Sequence, residues 1–449
     1  MTKPAPAIDS EYTHVFLSGP DPANPHALQV TNDDPPYNTP WGVQTAMRPD
    51  QALLAIEYLK THEPTDWADY LNLTSAFFLA GRDDEAMRMA ERAVELHRVT
   101  PTLLNLAICL EMHGRFEEAF PLCEEAHLMD LNDGIAGGLY GDALIRRGEW
   151  AKGWPIHTKY HHGLSPLRDY LPEWDGRSSL HNRRILVLEG GGYGDNLLCL
   201  RWLATLKIRG AARVTYCVQK SLIPLLAAQP NRLGADSFLP SIWEEIRTNR
   251  LCTLDLSAYD CFISALALPE VAGAIPSDLH SPLGYPYIFA DPSKSAALHG
   301  TFHPSFGLCW QAGEGAYPRK YKSLSVAQTS RILHTNGINW VSLQYDAAPP
   351  VGAAAGAAEV QIPPLRDWSD TAAVIDNLDL VVTVDTGVAH LAGAMGKKTF
   401  LILPGRSSWP FGLNSDQSLL YPSVRLFRNH GLGIDNAVDS VIRALRYQR

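Results

Sequence analysis

The spacing of apolar residues changes character twice along this chain. Residues 1–45, which include GPDPANPHALQVTNDDPPYNTPWG, are rich in Pro, Asp and Asn and show no periodicity, which predicts an extended or disordered arm. From about Pro49 the apolar spacing becomes helical and small residues recur at fixed offsets. Gly81, Gly114 and Gly148 lie 33 and 34 positions apart. Ala86, Ala119 and Gly153 follow them by five positions, and Thr74, Ala107 and Gly141 precede them by seven. Seven positions beyond the first set come Ala93, Ala126 and Tyr160. Small residues at these offsets let paired antiparallel helices approach closely, and each glycine ends the first helix of a pair. A partial unit, PDQALLAIEYLKT, places Ala52 in register with Ala86.

A period of about 34 with this pattern is the tetratricopeptide signature. The expectation is therefore a helical-repeat (TPR-like) region over 46–165. A polar connector follows at 166–182, and the pattern then shifts to short apolar runs separated by turns and helices. Buried strands are predicted at 185–188, 213–218, 261–264, 306–310, 340–343, 380–384 and 399–403. Strands alternating with helices build parallel sheets covered on both faces. The turn-rich stretch near 270–304 divides them into two Rossmann-like α/β domains, 183–298 and 299–449, expected to face one another across a cleft. VGAAAGAAE (351–359), between the strands at 340–343 and 380–384, signals only a flexible loop.

Composition narrows the classes. At 449 residues, 46% hydrophobic and 19% charged, the chain reads as an ordinary globular protein of two or three domains. A net charge of −10 argues against a broad nucleic-acid-binding surface. MTKPAPAIDSEYTHVF lacks the basic and apolar regions of a signal peptide, and no apolar run approaches the ~20 residues that span a bilayer. The seven cysteines are scattered, none in a C-x-x-C pair, which suits reduced core thiols and a cytoplasmic location.

Two turns carry candidate chemistry. EGGGYGD (189–195) lies between a buried strand and a helix, where phosphate or sugar ligands are met. Gly190 and Gly192 fit the start of a dinucleotide fingerprint, but Asp195 occupies the place of the third glycine. No acidic residue ends the second strand, and no Gly-Lys-Ser/Thr follows, so neither an NAD fingerprint nor a P-loop is present. A carboxylate at this helix entry suits an acceptor alcohol, whose proton Asp195 could take; the alternative is that Asp195 is a helix N-cap.

The second turn is Asp385-Thr386-Gly387, inside VVTVDTGVAHLAGAMGKKTFLIL. Helix dipole and free N–H groups there favour an anion such as phosphate, and Asp385 suits a sugar or ribose hydroxyl. His390, three residues into the helix, reads as packing or orienting the turn, and is counted with the donor-binding set. GLCWQAGEGAYPRKYKSL (307–324) adds Arg319, Lys320 and Lys322 after a strand, cations that could neutralise a diphosphate. Gln344 and 367–371 supply further polar groups, with Ser369 or Asp370 expected as an N-cap. Trp409 and Tyr421 are candidates for stacking on a base or for the core. His157, His161 and His162 lack an evident third metal ligand and read as surface residues.

Three blocks in order carry a resemblance: GGGYGDNLLCLRWL; GLCWQAG, RKYKSL and WVSLQ; and WSDTAAVIDNLDLVVTVDTGVAHLAGAMGKKTFLILP. Over roughly 65–449 the chain resembles bacterial tetratricopeptide-repeat glycosyltransferases. These are similar to the heptosyltransferase family and more distantly to O-linked N-acetylglucosamine transferases. The resemblance implies a GT-B fold, an inverting mechanism with a nucleotide-diphosphate sugar as co-substrate, and no metal or other cofactor. It maps the proposed base onto Asp195, the donor turn onto Asp385, Thr386 and Gly387, and the diphosphate-assisting cation onto Arg319 or Lys320. The turn here, Gly190-Gly191-Gly192-Tyr193-Gly194-Asp195, departs from the E-Q-G-x-G-D form of the repeat-containing relatives, and the loop 313–322 also differs. Donor identity therefore does not carry over. The acceptor is expected to be a protein or peptide held by the repeats, the alternatives being a lipid-linked or small glycan, or a non-catalytic scaffold.

Overall fold

The computed structural model describes residues 17–18, 29–30, 56–57, 64–162, 167, 171–241, 254–275, 283–302, 305–313, 319–335, 337–345, 360–413, 415–431 and 433–448. Within the expected arm, two short strands, β1 (Leu17–Ser18) and β2 (Gln29–Val30), pair antiparallel. The rest of the arm, the 351–359 loop and most of PDQALLAIEYLKT lie outside the described residues.

The chain divides into two compact units, the first running to Tyr140 and the second beginning at Gly141. The first consists of helical hairpins. Helices α1 (Trp67–Leu79) and α2 (Asp83–Leu96) form one, α3 (Thr100–Met112) and α4 (Phe116–Met129) the next. Asp66 caps α1 by accepting the Asp69 N–H at 3.0 Å. Gly81 and Gly114 take the left-handed conformation that ends the first helix of each pair. Ala86, Ala93, Ala107, Ala119 and Ala126 are wholly buried, so the small residues do sit where helices meet. Helix α5 (Gly134–Arg146) begins in this unit and ends in the second.

The second unit opens with the end of α5 and α6 (Trp150–His162), again joined through a left-handed glycine, Gly148. A Cβ on Gly141 would lie 2.8 Å from the His157 nitrogen, and one on Gly153 would lie 2.7 Å from Ile145 Cγ1. This crossing tolerates only glycine.

Two parallel sheets follow. The first runs β5-β4-β3-β6, from β3 (Arg184–Leu188), β4 (Arg213–Val218), β5 (Ser237–Pro240) and β6 (Cys261–Ser264). The second runs β12-β11-β10-β7-β8-β9, from β7 (Ser305–Cys309), β8 (Asn339–Ser342), β9 (Val360–Gln361), β10 (Leu380–Val384), β11 (Thr399–Leu403) and β12 (Val424–Arg428). Strands β3, β10 and β11 are almost entirely buried, as central strands covered on both faces must be. The pattern of apolar residues missed β5, β9 and β12. The first two are short and partly exposed, and β12 is interrupted by Arg425 and Arg428.

The sheets are joined through helices α7 (Tyr193–Ile208) and α10 (Gly387–Ala394), which pack directly on each other. Arg201 of α7 is wholly buried, donates to the Leu420 carbonyl and lies over the rings of Tyr287 and Tyr421. Tyr421 packs in turn against Gly393, where an added Cβ would come within 2.6 Å of its ring. Gly393→Ala is therefore expected to destabilise the second unit by about 1–3 kcal/mol. Urea unfolding of the variant beside the parent checks this, an unchanged midpoint counting against the close packing.

Candidate active site

Both candidate turns lie at the carboxyl ends of central strands, where each chain leaves its sheet and enters a helix. In the first, Gly190 must be glycine because a Cβ would meet Leu266 Cγ at 2.4 Å, and Gly191 has φ +66°. Asp195 is not the N-cap. Gly192 holds that position, and Asp195, three residues into α7, reaches back to accept the Gly192 N–H at 2.8 Å on Oδ2. Its other oxygen makes no hydrogen bond among the described residues. The next residue, Asn196, went unnoticed in the sequence. It accepts from the Gly190 N–H (3.1 Å) and the Tyr216 hydroxyl (2.7 Å) and donates to the Gly192 carbonyl (2.9 Å). A polar residue at a buried helix position, directly after Asp195, was the available signal.

In the second turn, Asp385 is 6% exposed and its Oδ2 accepts from Ser408 Oγ (2.8 Å) and Lys322 Nζ (3.3 Å). Thr386 is the N-cap of α10, yet its side chain does not cap the helix. Its hydroxyl turns instead to Thr383 Oγ1 (3.3 Å) and Cys309 Sγ (3.8 Å). The first amides of α10 thus lack the side-chain acceptor that usually satisfies them, with Lys322 held beside the same turn. Gln344 ties the neighbouring strand ends together, its Oε1 accepting from the Gln311 N–H (2.9 Å) and Cys309 Sγ (3.5 Å). The side chains of Arg319 and Lys320 lie outside those described.

His390 is buried against Phe411 and Tyr421, with Nδ1 3.0 Å from the Tyr421 hydroxyl. It joins the two turns, because a Cβ on Gly194 would lie 2.5 Å from His390 Cδ2. A Cβ on Gly387 would lie 2.5 Å from Trp368 and 3.1 Å from Tyr193 Cβ. The glycines thus bring Asp195, Thr386 and Lys322 into one neighbourhood.

The electrostatics separate the two carboxylates. Burial and the negative charges of Asp385 and Asp142 push Asp195 above the usual carboxylate range, against the opposing Gly192 N–H and Lys322. Burial would also raise Asp385, but Lys322, His390 and Ser408 more than offset it and hold that carboxyl low. Asp385 is therefore the fixed anion and Asp195 the group closer to taking a proton.

Several expectations need correction. The N-cap of α9 (Trp368–Asp376) is Asp367, rather than Ser369 or Asp370, because it is the extended residue just before the helix and its carboxylate accepts the Ser369 and Asp370 N–H groups at 2.8 and 3.2 Å, whereas those two residues lie inside the first turn. Of the two alternatives open for Trp409 and Tyr421, both take the core one, the former packed edge-on to Trp154 and the latter beneath α10. His157 is buried rather than on the surface, 3.2 Å from Asp142. No group of three or more His, Cys, Asp or Glu side chains that could hold a metal lies among the described residues. Six of the cysteines are buried thiols outside any disulfide, and no described helix is long and apolar enough to cross a membrane.

Burial lowers His390 from the usual 6.5 to about 4, so the folded protein holds it neutral while the unfolded chain protonates near 6.5. The unfolded state then binds more protons between these values. This histidine's contribution to stability is complete above about pH 6.5 and is lost as pH falls towards 4. The difference in urea midpoint between the parent and His390→Gln is expected to shrink over that window. A pH-independent difference would contradict it.

Residues 351–402, which include β9, α9, β10, the Asp385–Gly387 turn and α10, match the model of glycosyltransferase family 9 (heptosyltransferase). Protein FlbA of Caulobacter vibrioides is 24% identical over 323 residues, covering 68% of this chain and 53% of that protein. The chain thus spans about half the length of this curated relative. Among solved structures, E. coli heptosyltransferase WaaC with ADP is similar at 16% identity and TM-score 0.39, covering 59% of this chain and 99% of that one. E. coli ADP-heptose lps heptosyltransferase II is similar at 17% and 0.42, covering 59% and 97%. Thermobaculum terrenum O-GlcNAc transferase is similar at 15% and 0.33, covering 90% of each chain. The part of the second sheet that includes the Asp385-Thr386-Gly387 turn is thus the part that resembles glycosyltransferase family 9.

Proposed function

We propose that this chain is an inverting, metal-independent glycosyltransferase of GT-B architecture that uses a nucleotide-diphosphate sugar. The observation that carries the reading is the helix N-terminus left uncapped by Thr386, with Lys322 held beside it by Asp385. Amide donors, the positive end of a helix and an ammonium group together favour a diphosphate. The family 9 match over the same turn supports this.

In this reading the diphosphate rests on the first amides of α10 and on Lys322, with Arg319 and Lys320 as further cations. Asp385 fixes Lys322, and Thr386 and Gly387 shape the turn. An acceptor hydroxyl gives its proton to Asp195 as its oxygen attacks the anomeric carbon from the face opposite the diphosphate. The carbon–oxygen bond to the diphosphate breaks, and the leaving group departs with the bonding electrons, stabilised by the cations. Gly192 and Asn196 hold the base in place. The helical hairpins, of tetratricopeptide type, would present a protein or peptide acceptor. The setting is cytoplasmic.

Calorimetric titration with UDP, GDP, ADP and TDP tests the donor site. One of them should bind the parent chain, and Thr386→Asp, which places a negative charge on the anion site, should abolish that binding. Lys322→Met should weaken it about tenfold or more, since a charge-assisted contact is lost. Asp195→Asn should leave nucleotide binding intact and reduce transfer by at least 100-fold. Absence of binding by every nucleotide would remove the donor-site reading.

A further inference from the structure

Tyr193 is the residue of the glycine turn that the chemistry above leaves unused. It is large, 41% exposed, and lies two positions before Asp195, whereas the turn around it is otherwise glycine. Its ring packs at 5.2 Å and 40° on the indole of Trp368, which stands at the start of α9 in the second sheet's layer. Its hydroxyl receives a hydrogen bond from Ser221 Oγ at 3.2 Å. The aromatic pair is therefore held from two sides, yet much of Tyr193 remains open.

What places this pair is Gly387. A side chain there would strike the Trp368 ring at 2.5 Å and Tyr193 Cβ at 3.1 Å. Both aromatics consequently flank the backbone whose amide begins α10. Whatever group is bonded directly to an anion on that amide must lie next to them. A nucleotide-diphosphate sugar carries two such groups, the ribose and the transferred sugar, and Asp195, two positions beyond Tyr193 and read above as the base at the anomeric carbon, marks the Tyr193 side as the sugar's.

We propose that Tyr193, backed by Trp368, is the wall on which the transferred sugar packs, so that it acts as a specificity-determining residue for the donor. The chemistry that fits is a pyranose presenting an apolar C–H face to the ring, with its hydroxyls directed away. The Trp368 contact and the Ser221 hydrogen bond hold the phenol ring in advance, which limits the ordering cost on binding. With Gly192 and Gly194 on either side along the chain, much of the ring is left exposed. This inference rests on the donor reading of the Thr386–Gly387 turn.

The experiment compares two affinities on each protein by calorimetry. One is for the nucleoside diphosphate that the parent chain binds. The other is for its glucose, N-acetylglucosamine or mannose conjugate, whichever the parent holds more tightly than the bare diphosphate. Tyr193→Ala should lower affinity for the conjugate about five- to tenfold and leave the diphosphate unaffected. Tyr193→Phe, which keeps the ring and loses only the Ser221 bond, should stay within about twofold of the parent for both. If Tyr193→Ala weakens both ligands equally, or neither, the wall assignment is overturned while the donor site stands. Should the parent bind no nucleoside diphosphate, the donor reading itself fails, and this inference fails with it.

Discussion

The second unit depends on one close approach. Helices α7 and α10 meet at their N-terminal ends, and a methyl group at Gly194, Gly387 or Gly393 would collide with His390, Trp368 or Tyr421 respectively. A helix crossing made by glycine against a large ring packs densely without a lock of ion pairs. It also has a functional consequence. The strands feeding these helices end in Asp195's turn and in the Thr386 turn, so helix packing fixes how the two polar turns confront each other. Arg201, buried over Tyr287 and Tyr421, extends the same seam along α7.

That constraint explains which parts were legible in the sequence. Strands such as β4, β6, β10 and β11 were readable to the residue because both faces are buried and the apolar runs are uninterrupted. The hairpins were readable because glycine and alanine recur where helices touch. Edge strands β5, β9 and β12 were not, since a partly exposed strand mixes polar and apolar residues without a clear period. At the site, Asp195, Lys322 and Asp385 stood out because acids and cations at strand ends are chemically conspicuous. The roles of Asn196, Ser408 and Tyr193 depend on partners 20 to 175 positions away in sequence, as with Tyr216, Asp385 and Trp368, and no local pattern reports such pairings. The same limit made His157 look like a surface residue, when its partner Asp142 lies on the preceding helix.

The two carboxylates show how one site can ask opposite things of the same functional group. Environments that push two acids apart divide the labour between a fixed charge and a proton acceptor. Asp385 receives a lysine and a hydroxyl, so ionisation is favoured and its charge is spent on orienting Lys322. Asp195 receives only one backbone amide and faces two other acids, so its charged form is less comfortable. A base must be willing to accept a proton at the moment of attack, and a carboxylate already neutralised by a lysine is poorly suited to do so. In the proposed reaction the lysine therefore belongs with Asp385, on the side where negative charge would leave. Exchanging the partners would weaken both proposed roles: a tightly paired Asp195 would hold a proton less readily, and an isolated Asp385 would no longer hold a cation beside the α10 turn. Under the glycosyltransferase proposal, the asymmetry between the turns assigns proton uptake to α7 and charge release to α10.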